Sequence, residues 1–237
     1  MAGEAGQFRG LETGYTPHPV VRRFLSGRIV EPVTERSCEM PTPDQTIISR
    51  DDLVLVAIDI QTRLAAVMER RSEVIAATGR LARLAALVEA PIIVTRQYPK
   101  GLGGTDESLE SVFVSLAEAG ARIIGVDKTA FCCNIETEFR EALASTGRKQ
   151  VVLVGMETHI CVAQTALSLA GNGHQVQVVA DACCSRRPGD HDTALDRLRA
   201  AGVIVTSSES VMYEAVGRAG TDEFKALLGI VKNEEPC

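Results

Sequence analysis

Short runs of apolar and β-branched residues recur between Asp52 and residue 207, and stretches of mixed polarity separate them. Most runs are apolar throughout instead of alternating, which is typical of parallel strands buried on both faces. We predict a strand from each run, at 53–58, 91–95, 122–126, 150–155, 175–180 and 203–207. Strands that alternate with helical stretches predict an α/β fold: a three-layer α/β/α doubly wound sheet of about six parallel strands in the order 3-2-1-4-5-6.

Apolar residues at helical spacing predict the helices between and after these strands. One apolar face lies between the first two strands and consists of Met68, Ile75, Leu81, Leu84 and Val88. A second helix is predicted from Thr158 to about residue 170, where a Gly-Asn-Gly stop signal follows, and a third from about 193 to 201. Two short helices, at about 209–217 and 222–231, are expected to cover the edge of the sheet.

The first 47 residues show no sustained periodicity and are rich in Pro, Gly, Glu and Arg. A segment this short cannot bury a hydrophobic core of its own, which disfavours a second domain. We therefore predict an extended or poorly ordered N-terminal arm at 1–47 and one domain at 48–237.

Charge and hydropathy exclude two classes of partner. The formal net charge is −6, and nucleic-acid binding requires clustered basic surface, so no nucleic acid is expected as a partner. No apolar run approaches the roughly 18 residues that cross a bilayer, so no membrane is expected either. The first 30 residues lack the apolar centre of a signal peptide, and glutamates interrupt their arginines, which disfavours a transit peptide. We predict a cytoplasmic location.

The seven cysteines raise the question of a metal site or a reactive thiol. They are Cys38, Cys132, Cys133, Cys161, Cys183, Cys184 and Cys237. None has the paired spacing of a zinc site, and the adjacent pairs cannot easily face one tetrahedral metal. We therefore predict free thiols, no metal and no cofactor, and the remaining question is which thiol is reactive.

Ligand sites of open α/β sheets form beyond the carboxyl ends of the strands, so polar residues there are candidates for catalysis. Asp59 follows the first strand, Lys128 follows the third and Cys161 lies shortly after the fourth. With Thr158 as the N-cap, Cys161 lies in the first helical turn. There the helix dipole lowers a thiol's pKa, and the backbone N–H points towards an oxyanion. The three side chains supply a nucleophile, a base and a cation.

Each of the three also has a structural alternative. Cys161 is compatible with a buried structural cysteine, Asp59 with a turn-forming residue and Lys128 with a solvated surface lysine. Strand three lies two strands from strand one in the predicted order, about 9–10 Å away, so only a long side chain bridges the gap. Lys128 must then lean across strand two to meet Asp59, where its ammonium would stabilise the carboxylate and the thiolate. We expect this lysine to face a cleft and not the core.

The sequences around these residues resemble the isochorismatase-like cysteine hydrolase superfamily. The motifs are LVAIDIQ around Asp59, VDKTAFCCN around Lys128 and VLVGMETHICVAQTAL around Cys161. A G-x-x-T-x-x-C-V element after a strand is highly specific for that superfamily, and the similarity runs from about residue 52 to 232. Three further segments, at 95–105, 178–186 and 206–232, are similar to the isochorismatase-domain-containing and YcaC-like subgroup.

The resemblance implies that Asp59, Lys128 and Cys161 form a catalytic triad. It also implies a non-proline cis peptide bond between Met156 and Glu157, which turns the Glu157 N–H inward. That N–H and the Cys161 N–H would then form an oxyanion hole. A homo-oligomer is expected as well, with the tail helices and the arm as candidate contacts.

The substrate pocket and the absence of a metal follow from the residues after the strands. The expected pocket walls are Gln61, Gln97, Tyr98, Leu102 and Phe131. Nicotinamidases of the superfamily hold a metal through an Asp-x-His and a further histidine. The region after strand two contains no histidine here, which disfavours a zinc-dependent nicotinamidase.

The expected activity is hydrolysis of a small carboxamide or ureide through a thioester intermediate, so a small molecule is the expected substrate. An isochorismate-type vinyl ether hydrolase is the alternative enzyme, because in some superfamily members that reaction does not require the cysteine. A non-catalytic scaffold that retains the fold is the alternative outside catalysis, although a scaffold need not keep Asp59, Lys128 and Cys161.

Overall fold

A parallel sheet of six strands forms the centre of residues 46–232, the part of the chain that the computed structural model describes. The strands are β1 (Leu53–Ile58), β2 (Ile92–Gln97), β3 (Ile123–Lys128), β4 (Gln150–Met156), β5 (Gln175–Cys184) and β6 (Ile204–Thr206). Neighbouring strands are parallel throughout, and their order is β3-β2-β1-β4-β5-β6. The predicted doubly wound fold and strand order are confirmed. The predicted arm at 1–47 lies outside the described residues, apart from its last two.

β5 departs most from its predicted bounds, because it runs to Cys184 and not to residue 180. The apolar run in the sequence breaks at Asp181, a residue type that buried strands disfavour. In the structure, the Asp181 carboxylate accepts hydrogen bonds from the backbone N–H and the hydroxyl of Ser208. These bonds satisfy the carboxylate, so the strand continues past it.

Helices connect these strands and follow the last of them. They are α1 (Thr62–Ala65), α2 (Arg71–Leu87), α3 (Pro99–Leu102), α4 (Glu107–Glu118), α5 (Thr137–Thr146), α6 (Ala163–Gly171), α7 (Pro188–Ala200), α8 (Ser208–Val216) and α9 (Asp222–Lys232), with a 3₁₀ turn at Cys133–Ile135 and a π-helical turn at Thr158–Val162. The sequence pattern predicts α2 and α6 to α9, but it does not delimit α4 and α5. α7 begins before its predicted start, because Pro188 fits the first helical position. Among residues 46–232, none of the helices is long and apolar enough to cross a membrane.

Two hydrophobic clusters place the helices on opposite faces of the sheet. One face is covered by α2, α4, α8 and α9, and the other by α5, α6 and α7. The tail helices α8 and α9 pack on α2 and not on the edge of the sheet, because buried Met212 and Leu227 join the α2 cluster. The expectation that they cover the edge is therefore wrong, whereas the three-layer arrangement is confirmed.

The first described residues cross the amino ends of β4 and β5. The side chain of Gln150 donates a hydrogen bond to the Ile47 carbonyl at 2.9 Å and accepts one from the Ser49 N–H at 2.6 Å. Gln177 Nε2 donates to the Thr46 carbonyl at 2.6 Å. The chain is therefore attached to the sheet already at Thr46, before the domain start that the sequence predicts.

Gly155, the residue of β4 beside the end of β1, has no room for a side chain. Its φ is 125°, which residues with a side chain rarely adopt, and a Cβ atom there would lie 2.0 Å from the carbonyl oxygen of Ile58. The two strands can approach this closely only because the position is glycine.

We expect Gly155→Ala to lower the free energy of unfolding by about 3 kcal/mol or more, because both the backbone conformation and the neighbouring carbonyl oppose a methyl group. Gly125→Ala in β3 is the matched control, since the nearest neighbour of a Cβ atom there is Arg96, at 3.9 Å. Urea unfolding of the two variants measures the difference. Equal losses of stability would contradict the close approach of β1 and β4.

Candidate active site

Asp59 lies at the carboxyl end of β1, in a left-handed backbone conformation with a φ of 53°. Its side chain is fully buried. Oδ1 accepts a hydrogen bond from the Thr95 hydroxyl at 2.7 Å, and Oδ2 accepts one from Lys128 Nζ at 2.6 Å. A buried carboxylate is tolerated where it is paired and hydrogen-bonded, and β2 and β3 provide both partners here.

Lys128, the last residue of β3, reaches across β2 as the strand order predicts. Its ammonium donates to Asp59 Oδ2 at 2.6 Å, to Gln97 Oε1 at 2.6 Å and to the Ala130 carbonyl at 3.3 Å, so three acceptors match its three protons. Burial alone would lower the pKa of Lys128, but Asp59 and the nearby thiols outweigh it and raise this pKa. The side chain is fully buried, and the residue lines a cavity of about 330 Å³.

Cys161 lies in the π-helical turn after β4 and is 5% exposed. Burial, followed by the negative charge of Asp59, raises the pKa of the Cys161 thiol, and Lys128 offsets only part of this effect. The predicted lowering of the thiol pKa by its helix position is therefore wrong. The Asp59 carboxylate therefore lies near the thiol, and it is a group that can accept the thiol proton.

The turn between β4 and α6 begins at a cis peptide bond between Met156 and Glu157. We call residues 157–161, which include the cysteine, the nucleophile turn. Among the described residues, the Glu157 backbone N–H donates no backbone hydrogen bond. Thr158 does not cap the helix as predicted. Its hydroxyl instead shares a hydrogen bond of 2.9 Å with Nδ1 of His191, in the first turn of α7.

Two further side chains of the nucleophile turn contact the segment that follows β5. The Glu157 carboxylate accepts hydrogen bonds from the Arg186 backbone N–H at 2.8 Å and from Arg186 Nε at 3.1 Å. His159 Nδ1 and the Ser185 hydroxyl oxygen lie 2.9 Å apart. Three consecutive residues of the turn are therefore fixed by the segment 185–191.

Gln61 and Gln97, both predicted as pocket walls, form the support of Lys128. The Gln61 amide is fully buried, accepts a hydrogen bond from the Gln97 N–H at 2.7 Å and donates to the carbonyls of Gln97 and Gly103. Gln97 Oε1 accepts from Lys128, and Nε2 donates to the Thr129 carbonyl at 2.6 Å. Because protein groups occupy both amides, their contacts favour positioning of Lys128 over contact with a substrate.

Tyr98, Leu102 and Phe131, the other predicted pocket residues, lie closer to the surface. Tyr98 and Phe131 are each 56% exposed, and Leu102 is partly buried in α3. A Cβ atom on Gly101 would lie 2.5 Å from the Tyr98 ring, so the ring rests against the glycine backbone. A cavity of about 330 Å³ opens beside Tyr98 at the edge strand β3. Of these three residues, Tyr98 lines that cavity, and Tyr98 and Phe131 are the most exposed.

Thr95 and Cys133 complete the site, and the sequence did not single out either of them. Thr95 binds the Asp59 carboxylate, and Cys133 Sγ lies 4.0 Å from the Thr95 hydroxyl. Burial raises the pKa of Cys133 to about 12, although Lys128 opposes the effect. A polar residue near the end of an apolar strand is the signal that could have found Thr95. Nothing in the local sequence separates Cys133 from Cys132.

Metal ligands are not gathered in the part of the chain that the structure describes. Within residues 46–232, no group of three or more His, Cys, Asp or Glu side chains is arranged to hold a metal ion. The partners of the Asp59 carboxylate are a hydroxyl and an ammonium, and the ammonium repels a cation. We still predict that the activity needs no metal and no cofactor.

Comparison of the sequence with known proteins identifies the family to which the chain belongs. The sequence model of the isochorismatase domain matches residues 54–210, which contain Asp59, Lys128 and Cys161. The chain belongs to the isochorismatase family. The resemblance of its motifs to these hydrolases is thereby confirmed.

Relatives of this isochorismatase-family chain include proteins of known structure. Isochorismatase domain-containing protein 1 from Danio rerio is 38% identical over 184 residues, which cover 77% of this chain and 62% of the relative's length. The chain therefore spans less than two thirds of that relative. The MAR1 ribonuclease from Caenorhabditis elegans is 32% identical with a TM-score of 0.71, over 81% of this chain and 95% of that one. YcaC from Pseudomonas aeruginosa is 27% identical with a TM-score of 0.66, over 78% of this chain and 91% of that one.

Proposed function

We propose that the chain is a cysteine hydrolase that cleaves the C–N bond of a small carboxamide or ureide through a thioester intermediate. The observation that carries this proposal is the position of the Asp59 carboxylate. It binds the Lys128 ammonium at 2.6 Å and lies close enough to the Cys161 thiol for its negative charge to raise the thiol's pKa. A protonated thiol beside a base and a fixed cation has the groups that nucleophilic attack with general-base assistance requires.

In the first half-reaction, Asp59 takes the thiol proton while the sulfur of Cys161 attacks the substrate carbonyl. Because the pKa of the thiol is raised, Cys161 is protonated before the substrate binds, and the proton moves to Asp59 only during the attack. The S–C bond forms, and the carbonyl π electrons move to oxygen. When the tetrahedral intermediate collapses, the C–N bond breaks, and Asp59 returns the proton to the leaving nitrogen as ammonia or an amine departs.

In the second half-reaction, Asp59 takes a proton from a water molecule whose oxygen attacks the thioester carbonyl. The S–C bond breaks, the acid is released, and the proton returns to the sulfur of Cys161. Lys128 keeps its proton throughout, because its pKa is raised and three acceptors surround it. Its role is that of a fixed positive charge beside the groups that gain and lose the proton.

The backbone N–H groups of Glu157 and Cys161 are the proposed oxyanion donors. The Glu157 N–H donates no backbone hydrogen bond among residues 46–232, which leaves it available to a substrate oxygen. Cys161 lies in the first turn of a helical segment, where backbone N–H groups lack helical acceptors. Removal of one such donor typically costs about 10²- to 10³-fold in kcat.

The reacting part of the substrate is proposed to be small and neutral. The buried Asp59 carboxylate lies near the nucleophile, and it disfavours a second negative charge next to the reacting carbonyl. Tyr98, Leu102 and Phe131 offer apolar surface for the remainder of the molecule. Neutral amides and ureides with a short apolar substituent meet both conditions.

Two relatives bear on the choice of substrate. The structure of YcaC from Pseudomonas aeruginosa contains covalent acrylamide, which is a small carboxamide. The Caenorhabditis elegans relative is a ribonuclease, but a net charge of −6 on this chain argues against RNA as its substrate. An isochorismate-type vinyl ether hydrolase and a non-catalytic scaffold remain the rival hypotheses.

A panel of small amides, ureas and carbamates, assayed for ammonia release with and without a chelator, tests the proposal. We expect at least one member to release ammonia, at the same rate after prolonged chelation. Acid quenching followed by peptide mass spectrometry should then reveal an acyl group on Cys161. The proposal would be contradicted by a panel that releases no ammonia and adds no mass to Cys161, or by hydrolysis of RNA alone.

A homo-oligomer is part of the same proposal. Large apolar side chains stay exposed in the described chain, among them Ile135 at 65% and Val67 at 59%, and such residues often lie in subunit contacts. The tail helices bury Met212 and Leu227 against α2, so they offer less apolar surface than the sequence suggested. Light scattering at micromolar concentration should give a multiple of 25.4 kDa. A clean monomer mass would contradict this expectation.

The remaining assignments follow the sequence. Residues 48–237 are the proposed hydrolase domain, and 1–47 the proposed arm. The reaction as written needs a small-molecule substrate and no cofactor, nucleic acid or membrane. The cytoplasmic location stays a prediction.

A further inference from the structure

A buried carboxylate lies in the nucleophile turn, and the triad does not use it. Glu157 is 4% exposed, and its carboxylate accepts hydrogen bonds from the Arg186 backbone N–H at 2.8 Å and from Arg186 Nε at 3.1 and 3.2 Å. The Arg186 side chain is 59% exposed. Between residues 46 and 232, Glu157 has no ion pair other than this one.

The charge of this carboxylate opposes the proposed chemistry. The backbone N–H of Glu157 is the proposed donor to the oxyanion. The side-chain carboxylate of the same residue is therefore close to the substrate oxygen on which negative charge develops. Two like charges at such a separation repel each other strongly when water is excluded between them. A cation on Glu157 therefore matters more in the transition state than in the ground state, because the oxyanion exists only in the former.

We propose that Arg186 is a positioning residue of the active site, which neutralises Glu157 and fixes the peptide that donates to the oxyanion. This inference rests on the proposed function. Arg186 binds through its backbone and its guanidinium together, so the contact sets the conformation of the Glu157 side chain as well as its charge. Charge-assisted hydrogen bonds of this kind are stronger and more directional than neutral ones.

The rest of the nucleophile turn has separate support, which makes a specific test possible. The Thr158–His191 and His159–Ser185 hydrogen bonds, both 2.9 Å long, do not involve Arg186. The Arg186 backbone N–H also remains when its side chain is changed. A substitution of the side chain therefore removes a charge without removing the other attachments of the turn.

Arg186→Gln should lower kcat about tenfold, the effect of a change of roughly 1.4 kcal/mol in the activation free energy, with little change in KM. Arg186→Lys keeps the charge and should retain most of the activity. Arg187→Gln is the matched control: Arg187 is exposed and forms no ion pair in the described part of the chain. Thermal unfolding of each variant separates a loss of charge from a loss of fold.

The double variant Glu157→Gln/Arg186→Gln provides the decisive comparison. It removes both charges, and the new amide oxygen at position 157 can still accept a hydrogen bond from the backbone N–H of residue 186. Because no unpaired carboxylate then repels the oxyanion, kcat should rise above that of Arg186→Gln. A merely structural role for Arg186 predicts no such recovery. Two results would contradict this inference: an unchanged kcat in Arg186→Gln, or a double variant that is no faster than Arg186→Gln. If ammonia release still depends on Cys161 in either case, the proposed function stands and only the role of Arg186 is rejected. Amide hydrolysis that does not depend on Cys161 would instead overturn the proposed function, and this inference with it.

Discussion

Cys161→Ala is expected to lower kcat for amide hydrolysis by on the order of 10³-fold or more and to abolish the acyl adduct. The variant loses the nucleophile while the Lys128–Asp59 ion pair of 2.6 Å stays in place. Because a buried site loses only one heavy atom, the free energy of unfolding should fall by no more than about 1 kcal/mol. Steady-state ammonia release and mass spectrometry of acid-quenched samples measure the two effects.

The chain offers a matched control in Cys132, which is also 5% exposed. Its thiol donates to the Gln164 carbonyl at 3.5 Å, so Cys132→Ala removes a comparable buried sulfur without touching Asp59. That variant should keep near-normal kcat. Equal losses in the two variants would point to packing and not to chemistry. A Cys161→Ala variant that still hydrolyses a vinyl ether would favour the isochorismate-type alternative.

Lys128→Met is expected to lower kcat by on the order of 10²-fold or more, as removal of an electrostatic stabiliser often does. Lys128 lowers the pKa of the Cys161 thiol, so its loss raises that pKa further and makes the attack harder. Both side chains of the ion pair are fully buried, and the variant leaves the Asp59 carboxylate without its partner. Breaking a buried pair in this way costs about 3–5 kcal/mol of stability. Turnover and urea unfolding therefore both need to be measured.

The double variant Asp59→Asn/Lys128→Met separates these two consequences. Asparagine keeps an oxygen that can accept from the Thr95 hydroxyl, and the core no longer contains an unpaired charge. Stability should recover relative to Lys128→Met, while activity should not. If stability stays low, the unpaired carboxylate is not the cause of the loss. If folded Lys128→Met turns over almost normally, Lys128 leaves the mechanism, and Asp59 and Cys161 act as a dyad.

Strand order was the part of the architecture that the sequence predicted best, and the Lys128 contact followed from it. Runs such as 53–58 are apolar without interruption. A strand needs apolar residues at every position only when both faces of the sheet are covered. Once β2 lies between β1 and β3, a side chain that joins the ends of the outer two must be long. The 2.6 Å contact of Lys128 with Asp59 agrees with that argument.

Features that depend on distant parts of the chain could not be predicted in the same way. The helix position of Cys161 suggested a lowered pKa, because local sequence reveals the helix dipole but not the burial and the carboxylate that reverse its effect. Thr158 looked like an N-cap, since its partner His191 lies 33 residues away. The ion pair of Glu157 with Arg186 spans 29 residues for the same reason. Long-range contacts of single side chains leave no periodic pattern in a sequence.

Tyr98 combines exposure with confinement, and this has a consequence for recognition. Its φ of 39° is left-handed, Pro99 follows it, and its ring rests against the backbone of Gly101. Ordering a flexible side chain upon binding costs about 0.5–1.5 kcal/mol of conformational entropy. Here folding has already removed most of that freedom. A molecule that stacks on this ring gains contact area with little further loss of entropy.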